Sequence, residues 1–283
     1  MLRGREPFSM NDFAAFAPYL VLLVYAAATA AYGVLFFTGH KGARRLASPL
    51  LQAAVALHLG YLGWLTWRWS QFPGATVSQA LTVVSFAIAI IYLLLQWLGG
   101  ERASGFWLVG QVFVFQLLAV VLHEPLPPRR ELFEHPLFGI HVFLALLGYA
   151  AFAVAASYGF LFLRLYRELK RSRFSVFYGK LPPLEVLERM MSGALAVGFA
   201  ALTGALIDGA LWVRQRSDID WQHDPTILLT IATWALYGAA LLLRRLRRWQ
   251  GRQTAMASLA GLGVIVASLV AVHTLVVGFH RSF

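Results

Sequence analysis

Eight uninterrupted apolar runs constrain this chain more than any other feature. They lie at roughly 13–37, 47–69, 77–99, 104–122, 137–166, 191–213, 226–243 and 256–279. Each is long enough, or nearly so, to cross about 30 Å of hydrocarbon as a helix. Backbone groups in lipid must be satisfied within the segment, so such runs read as helices. The expected fold is an all-α integral membrane protein with about eight transmembrane helices. Charge is scarce, as this reading requires: 13% of residues against about 25% in soluble domains.

The remaining charge is strongly basic, with a net value of +11. Lys and Arg cluster in short connections between apolar runs. They point to topology and anionic lipid headgroups, with no nucleic acid partner expected. Sixteen of the 24 basic residues fall in alternate connections around 41–45, 102, 164–189 and 244–252. Those connections should face the cytoplasm, which puts the N- and C-termini outside (periplasmic). An even number of spans requires the termini on one side, so count and charge agree. No cleavable signal peptide is expected, because the first apolar run is too long for one. With no cysteine, disulfides, thiolate–metal sites and covalent haem attachment are excluded for this chain.

This orientation sorts the eight histidines by depth. His123, His135, His141, His223 and His280 fall at the outer surface. His58 falls mid-span in the second run, and His273 lies inside the eighth. Only His40 faces the cytoplasm. Intramembrane ionisable groups are costly and usually face a bundle interior. His273 and His280 are two helical turns apart on one face, about 10 Å along the axis, too far to share one metal. Neutral imidazoles ligate zinc, copper or haem iron. Zinc sites usually add carboxylates or cysteines, and Asp208 is the clear intramembrane carboxylate. Haem needs two axial imidazoles and a flat apolar slot. Nine Trp and 21 Phe can supply one, although aromatics near an interface are also ordinary belt residues.

Two connections stand out. Asp218–Pro225 is acidic and aromatic in a basic chain. Asp224 and Pro225 fit the N-cap and first position of the seventh helix. Trp221 suits either an interfacial anchor or a platform against a macrocycle. In the other, Pro183 with Glu185 and Glu188 fits a helix N-terminus, either an interfacial helix or the lead-in to the sixth span.

Four segments together resemble the cytochrome c assembly proteins of the CcsA/CcmC/HemX type, closest to the eight-span HemX-like inner-membrane branch. They are His141–Phe152 (HVFLALLGYAAF), Leu181–Glu188 (LPPLEVLE), Trp221–Pro225 (WQHDP) followed by Trp234, and Gly251 through Gly278-Phe279-His280. The resemblance covers roughly 137–283, while residues 1–136 match in hydropathy. It implies an N-terminal four-span half (1–136) and a haem-handling four-span half (137–283) in a bacterial inner membrane. It implies noncovalent haem b with His141 and His280 as axial ligands, which are also the metal ligands. Trp221 and Asp224 would line the site, and His223 would be an alternative ligand. The implied partners are the lipid bilayer, haem, and a second cytochrome c assembly membrane protein or apocytochrome c.

The chain departs from the pattern in two places. His223 replaces the second Trp of the haem-binding loop. The inner end of the seventh run, Leu241–Arg244, lacks the histidine of haem-delivering members, so a deeper site would need His58 and His273. Two other roles stand beside this one. One is a HemX-like regulator or anchor for a tetrapyrrole-synthesis enzyme, using the basic connection 167–189. The other is a transporter subunit, for which Asp208 is the hint. An enzyme is not expected, since no nucleophile–base spacing or paired carboxylate is evident.

Overall fold

The computed structural model describes residues 10–100, 102–122, 136–172, 178–214, 225–247, 249 and 251–280, with side chains of the last helix described to residue 267. Among the described residues all regular structure is helical. The elements are α1 (Met10–Thr38), α2 (Lys41–Trp69), α3 (Val77–Gly99), α4 (Gly105–Val121), α5 (Pro136–Arg171), α6 (Leu184–Val213), α7 (Pro225–Arg247) and α8 (Gly251–His280). Each coincides with one apolar run. Among the described residues, six of them, α1–α3 and α5–α7, are long and apolar enough to cross a membrane. The 17 residues of α4 span about 25 Å at 1.5 Å per residue, the short limit for a crossing.

Several helices run beyond their apolar runs, chiefly at one end. α2 begins at Lys41, α5 continues to Arg171 and α6 begins at Leu184. Lys, Arg and Glu are good helix formers, and their long stems lie along apolar surface while the charge reaches water. The Pro183 stretch is therefore the lead-in to the sixth helix. The Pro183 carbonyl accepts from the Val186 and Leu187 amides at 3.0 and 3.1 Å. Local caps define other boundaries. Thr76 Oγ1 accepts from the Gln79 amide, and Gln79 Oε1 accepts from the Ala75 amide, together fixing the start of α3. α3 ends at Gly100, with φ +66°, a conformation that favours glycine.

Neighbouring helices alternate in direction, which gathers the basic connections at one end. Lys180 bonds the Phe37 carbonyl and stands 5.9 Å over the Phe37 ring. Arg102 donates to the Arg44 carbonyl at 3.1 Å. Arg244 pairs with Glu188 at 3.3 Å, and the other Glu188 oxygen faces Gly251 at the start of α8. These contacts tie together the α1–α2, α3–α4, α5–α6 and α7–α8 connections. We call this the basic end.

α1 packs on α2 and α4, and α3 on α4 and α2; α5 packs on α6 and α8, and α7 on α8 and α6; α5 meets α3. Polar side chains inside the first group bond one another, as a low-dielectric interior demands. Tyr32 donates to Gln96, which donates to Ser48 at 2.8 Å. Ser85 donates to Gln116 at 2.9 Å. Ser157 donates to Gln111 at 3.0 Å, joining α5 to α4.

The α5–α6 contact is the most extensive, and small residues make it. A Cβ on Gly148 would lie 3.2 Å from the Gly198 carbonyl, and one on Gly198 would lie 2.6 Å from the Phe152 ring. Side chains this small let two backbones touch. Gly198→Leu should therefore lower stability in detergent, by about 1–3 kcal/mol for an overpacked site. Gly60, where a Cβ would meet nothing within 4 Å, should tolerate Ala without loss. Parallel thermal unfolding curves check the contrast.

Candidate functional site

His141 lies in the second turn of α5, at the end opposite the basic connections. Facing it, α6 presents Ala205 and Gly209, with Trp212 a turn further on against Phe138, a spacing that puts the three along one side of the helix. His141 Nδ1 lies 2.8 Å from the Ala205 carbonyl oxygen. A carbonyl only accepts, so Nδ1 donates to it, and in the neutral ring the lone pair is on Nε2. Nε2 makes no hydrogen bond to any described residue. A ring nitrogen tied to a backbone carbonyl, with the other left open, is how ligating histidines are usually oriented.

The surrounding packing fixes the ring plane. A Cβ on Gly209 would lie 2.8 Å from His141 Cε1 and 2.9 Å from Nδ1, so the imidazole occupies the space that glycine leaves. The Phe138 ring stacks on it at 6.1 Å and 27° and meets Trp212 at 5.2 Å. Phe72, from the α2–α3 connection, packs on Gly139 and lies 6.0 Å from Phe143. The imidazole is half-buried, with the Phe138 ring against it and Trp212 beyond that ring.

Asp208 belongs to the same turn of α6 as Gly209. Its Oδ2 is enclosed and has no hydrogen-bond partner among the described residues.

His58 is a different case. It is fully buried in α2, with Nδ1 3.1 Å from the Tyr25 hydroxyl. The Tyr25 and Phe86 rings meet it edge-on at 5.6 and 5.2 Å. Its Nε2 is buried without a partner among the described residues. It sits among α1–α3, and no described contact joins it to His141.

His273 and His280 are carried by α8, whose side chains beyond residue 267 lie outside the described residues. Backbone register still places them. Ala255 of α8 abuts Gly159 of α5, its carbonyl 3.1 Å from a Cβ built there. His141 and His273 are equally far along the two chains from that contact. With the helices antiparallel, His273 comes to the depth of His141, and His280 lies two turns, about 10 Å, further out. Trp221, His223 and Asp224 lie outside the described residues, although α7 does begin at Pro225 as expected. Among the described residues, no three His, Asp or Glu side chains converge to hold a metal ion.

The sequence singles out His141 but not its supports. Ala205, Gly209, Phe138 and Phe72 carry no motif. The one readable signal is the run of small residues at Gly198, Ala205 and Gly209, which reads as a helix contact.

Residues 46–280 match the family of cytochrome c assembly proteins. The chain is 23% identical over 239 residues to the protein HemX of Bacillus subtilis, covering 83% of this chain and 86% of that one. It is 36% identical over 96 residues to the cytochrome c biogenesis protein CcsA of a Synechococcus strain, covering 34% of this chain and 30% of the relative. A Prochlorococcus marinus CcsA matches at 35% over 96 residues, again about a third of each protein.

The geometry makes a direct prediction. In protein labelled with 15N-histidine, the neutral form of His141 should carry its proton on Nδ1, and Gly209→Ala should disturb that signal. A proton on Nε2 would contradict the arrangement.

Proposed function

The chain belongs to the cytochrome c assembly protein family, and on that premise we propose that it binds haem at the outer face of a bacterial inner membrane. Its role is a step of cytochrome c assembly or related haem handling, by binding and handover and not by catalysis. The observation that carries this reading is the state of His141. Its Nδ1 is held by the Ala205 carbonyl, and its Nε2 is left available beside Phe138.

Haem would supply an iron that neutral imidazoles can hold. His141 would hold it through Nε2. His280 would be the second imidazole by its place in the family pattern, and the backbone of His273 stands at the depth of His141. Trp221 and Asp224 line the slot, with His223 beside them. A chain without cysteine holds such a group noncovalently, as haem b. Residues 137–283 are the haem-handling half, and 1–136 are the scaffold against which α5 stands. The receiving partner is a second assembly membrane protein or an apocytochrome c.

The central test is a visible spectrum of the purified protein. The wild type should show a Soret band whose haem extracts fully into acidified organic solvent. The His141→Ala/His280→Ala double variant should lose most of it, and His273→Ala reports the contribution of the deeper donor. An unchanged Soret band in the double variant removes the axial-ligand assignment.

Orientation is tested separately, on the cysteine-free background. In intact cells with a permeable outer layer, a membrane-impermeant maleimide should label Arg130→Cys and spare Lys170→Cys. The reverse pattern would put the histidine end in the cytoplasm.

A second reading follows from the greater coverage of HemX than of the CcsA relatives. At the basic end an open groove of about 380 Å3 is lined by Leu165, Leu169, Leu181, Pro182 and Glu185. A haem-free protein that captures a tetrapyrrole-synthesis enzyme through this end would be a membrane regulator of that enzyme.

A further inference from the structure

Asp208 is the one intramembrane carboxylate of the haem-handling half that the proposed function leaves unused. Three observations bear on it. It occupies the turn of α6 that holds His141, directly preceding Gly209, whose Cα lies against the imidazole. Its Oδ2 is enclosed and has no hydrogen-bond partner among the described residues. No described cation pairs with it: the ion pairs near α6 use Glu188 and Arg244 at the basic end. An enclosed, uncompensated carboxylate is costly in a membrane bundle, and such residues mark functional positions. Among the described residues no partner of Oδ2 offsets that cost.

What an ionised carboxylate would do at this place follows from electrostatics. The Ala205 carbonyl already draws on the Nδ1 proton of His141 and makes the imidazole a stronger donor. An ionised carboxylate on the same turn would act in the same direction. Both favour the more positive state of a metal bound at Nε2. Second-sphere charge and hydrogen bonding of this kind set the potentials of haem iron.

We propose that Asp208 is a positioning residue that acts through His141 to hold the bound iron in the ferric state. The inference rests on the haem reading above. The Ala205 carbonyl is a backbone group and cannot be removed by substitution, which makes Asp208 the adjustable part of the pair.

The test is a spectroelectrochemical titration of haem-loaded, full-length protein in detergent, comparing wild type, Asp208→Asn and Asp208→Glu. Haem content should be the same in all three. Asp208→Asn should raise the midpoint potential, while Asp208→Glu should stay at the wild-type value. Asp208→Ser carries the same expectation as Asn and decides the matter where the Asn variant does not accumulate. Equal midpoints at equal haem content overturn the role of Asp208 and leave the haem reading standing. Wild-type protein that takes up no haem overturns the haem reading, and this proposal with it. Loss of haem in the Asp208→Asn and Asp208→Ser variants, with retention in Asp208→Glu, would make the residue part of the binding site and also overturn the proposal.

Discussion

The close approach of α5 and α6 rests on what is missing from their facing surfaces. Gly148 and Gly198 bring backbone against backbone, to the point where a methyl group on either would meet a carbonyl oxygen at 3.1–3.2 Å. In lipid there is little hydrophobic drive between helices, so packing and interhelical hydrogen bonds must hold them. A contact built on glycine gains close packing along its whole length. It also sets the distance at which His141 meets α6. Were the helices a side chain further apart, the imidazole would not reach the Ala205 carbonyl, and its tautomer would be unspecified. Packing in the membrane interior and ligand orientation at the bundle end thus share one cause.

The first four helices serve a complementary purpose. Some of their buried polar groups bond one another across helices, as in the Tyr32–Gln96–Ser48 chain and the Ser85–Gln116 pair. Networks that satisfy themselves specify one arrangement of helices and exclude others. α5 is fixed against this group through Ser157 and Gln111 and, at the other end, through Phe72 packed on Gly139. The helix that carries His141 is therefore braced from both sides. His58 belongs to this bracing group by position, and like Gln116 it keeps one buried nitrogen without a partner among the described residues.

Much of this was legible in the sequence. Hydropathy located every helix, since the bilayer imposes a minimum apolar length that soluble folds do not. Alternation of Lys and Arg between connections anticipated the basic end, where Lys180, Arg102 and Arg244 now gather. Helix ends were less legible. α2 and α6 start six or seven residues before their apolar runs, because basic and acidic residues extend a helix into the headgroup layer without raising hydropathy. The site was legible only in its donor. His141 stood out as an ionisable residue at a span end, whereas Ala205 contributes through its backbone and Gly209 through an absent side chain, neither of which leaves a chemical signature. Trp221, His223 and Asp224 remain sequence expectations.

The central question is whether His141 ligates haem iron through Nε2. Electron paramagnetic resonance of the ferric, haem-loaded protein tests this most directly, because iron with two imidazoles gives a low-spin signal. The wild type should be low-spin, and His141→Ala should convert it to a high-spin form that added imidazole returns to low-spin. A low-spin signal unchanged by His141→Ala would contradict the assignment.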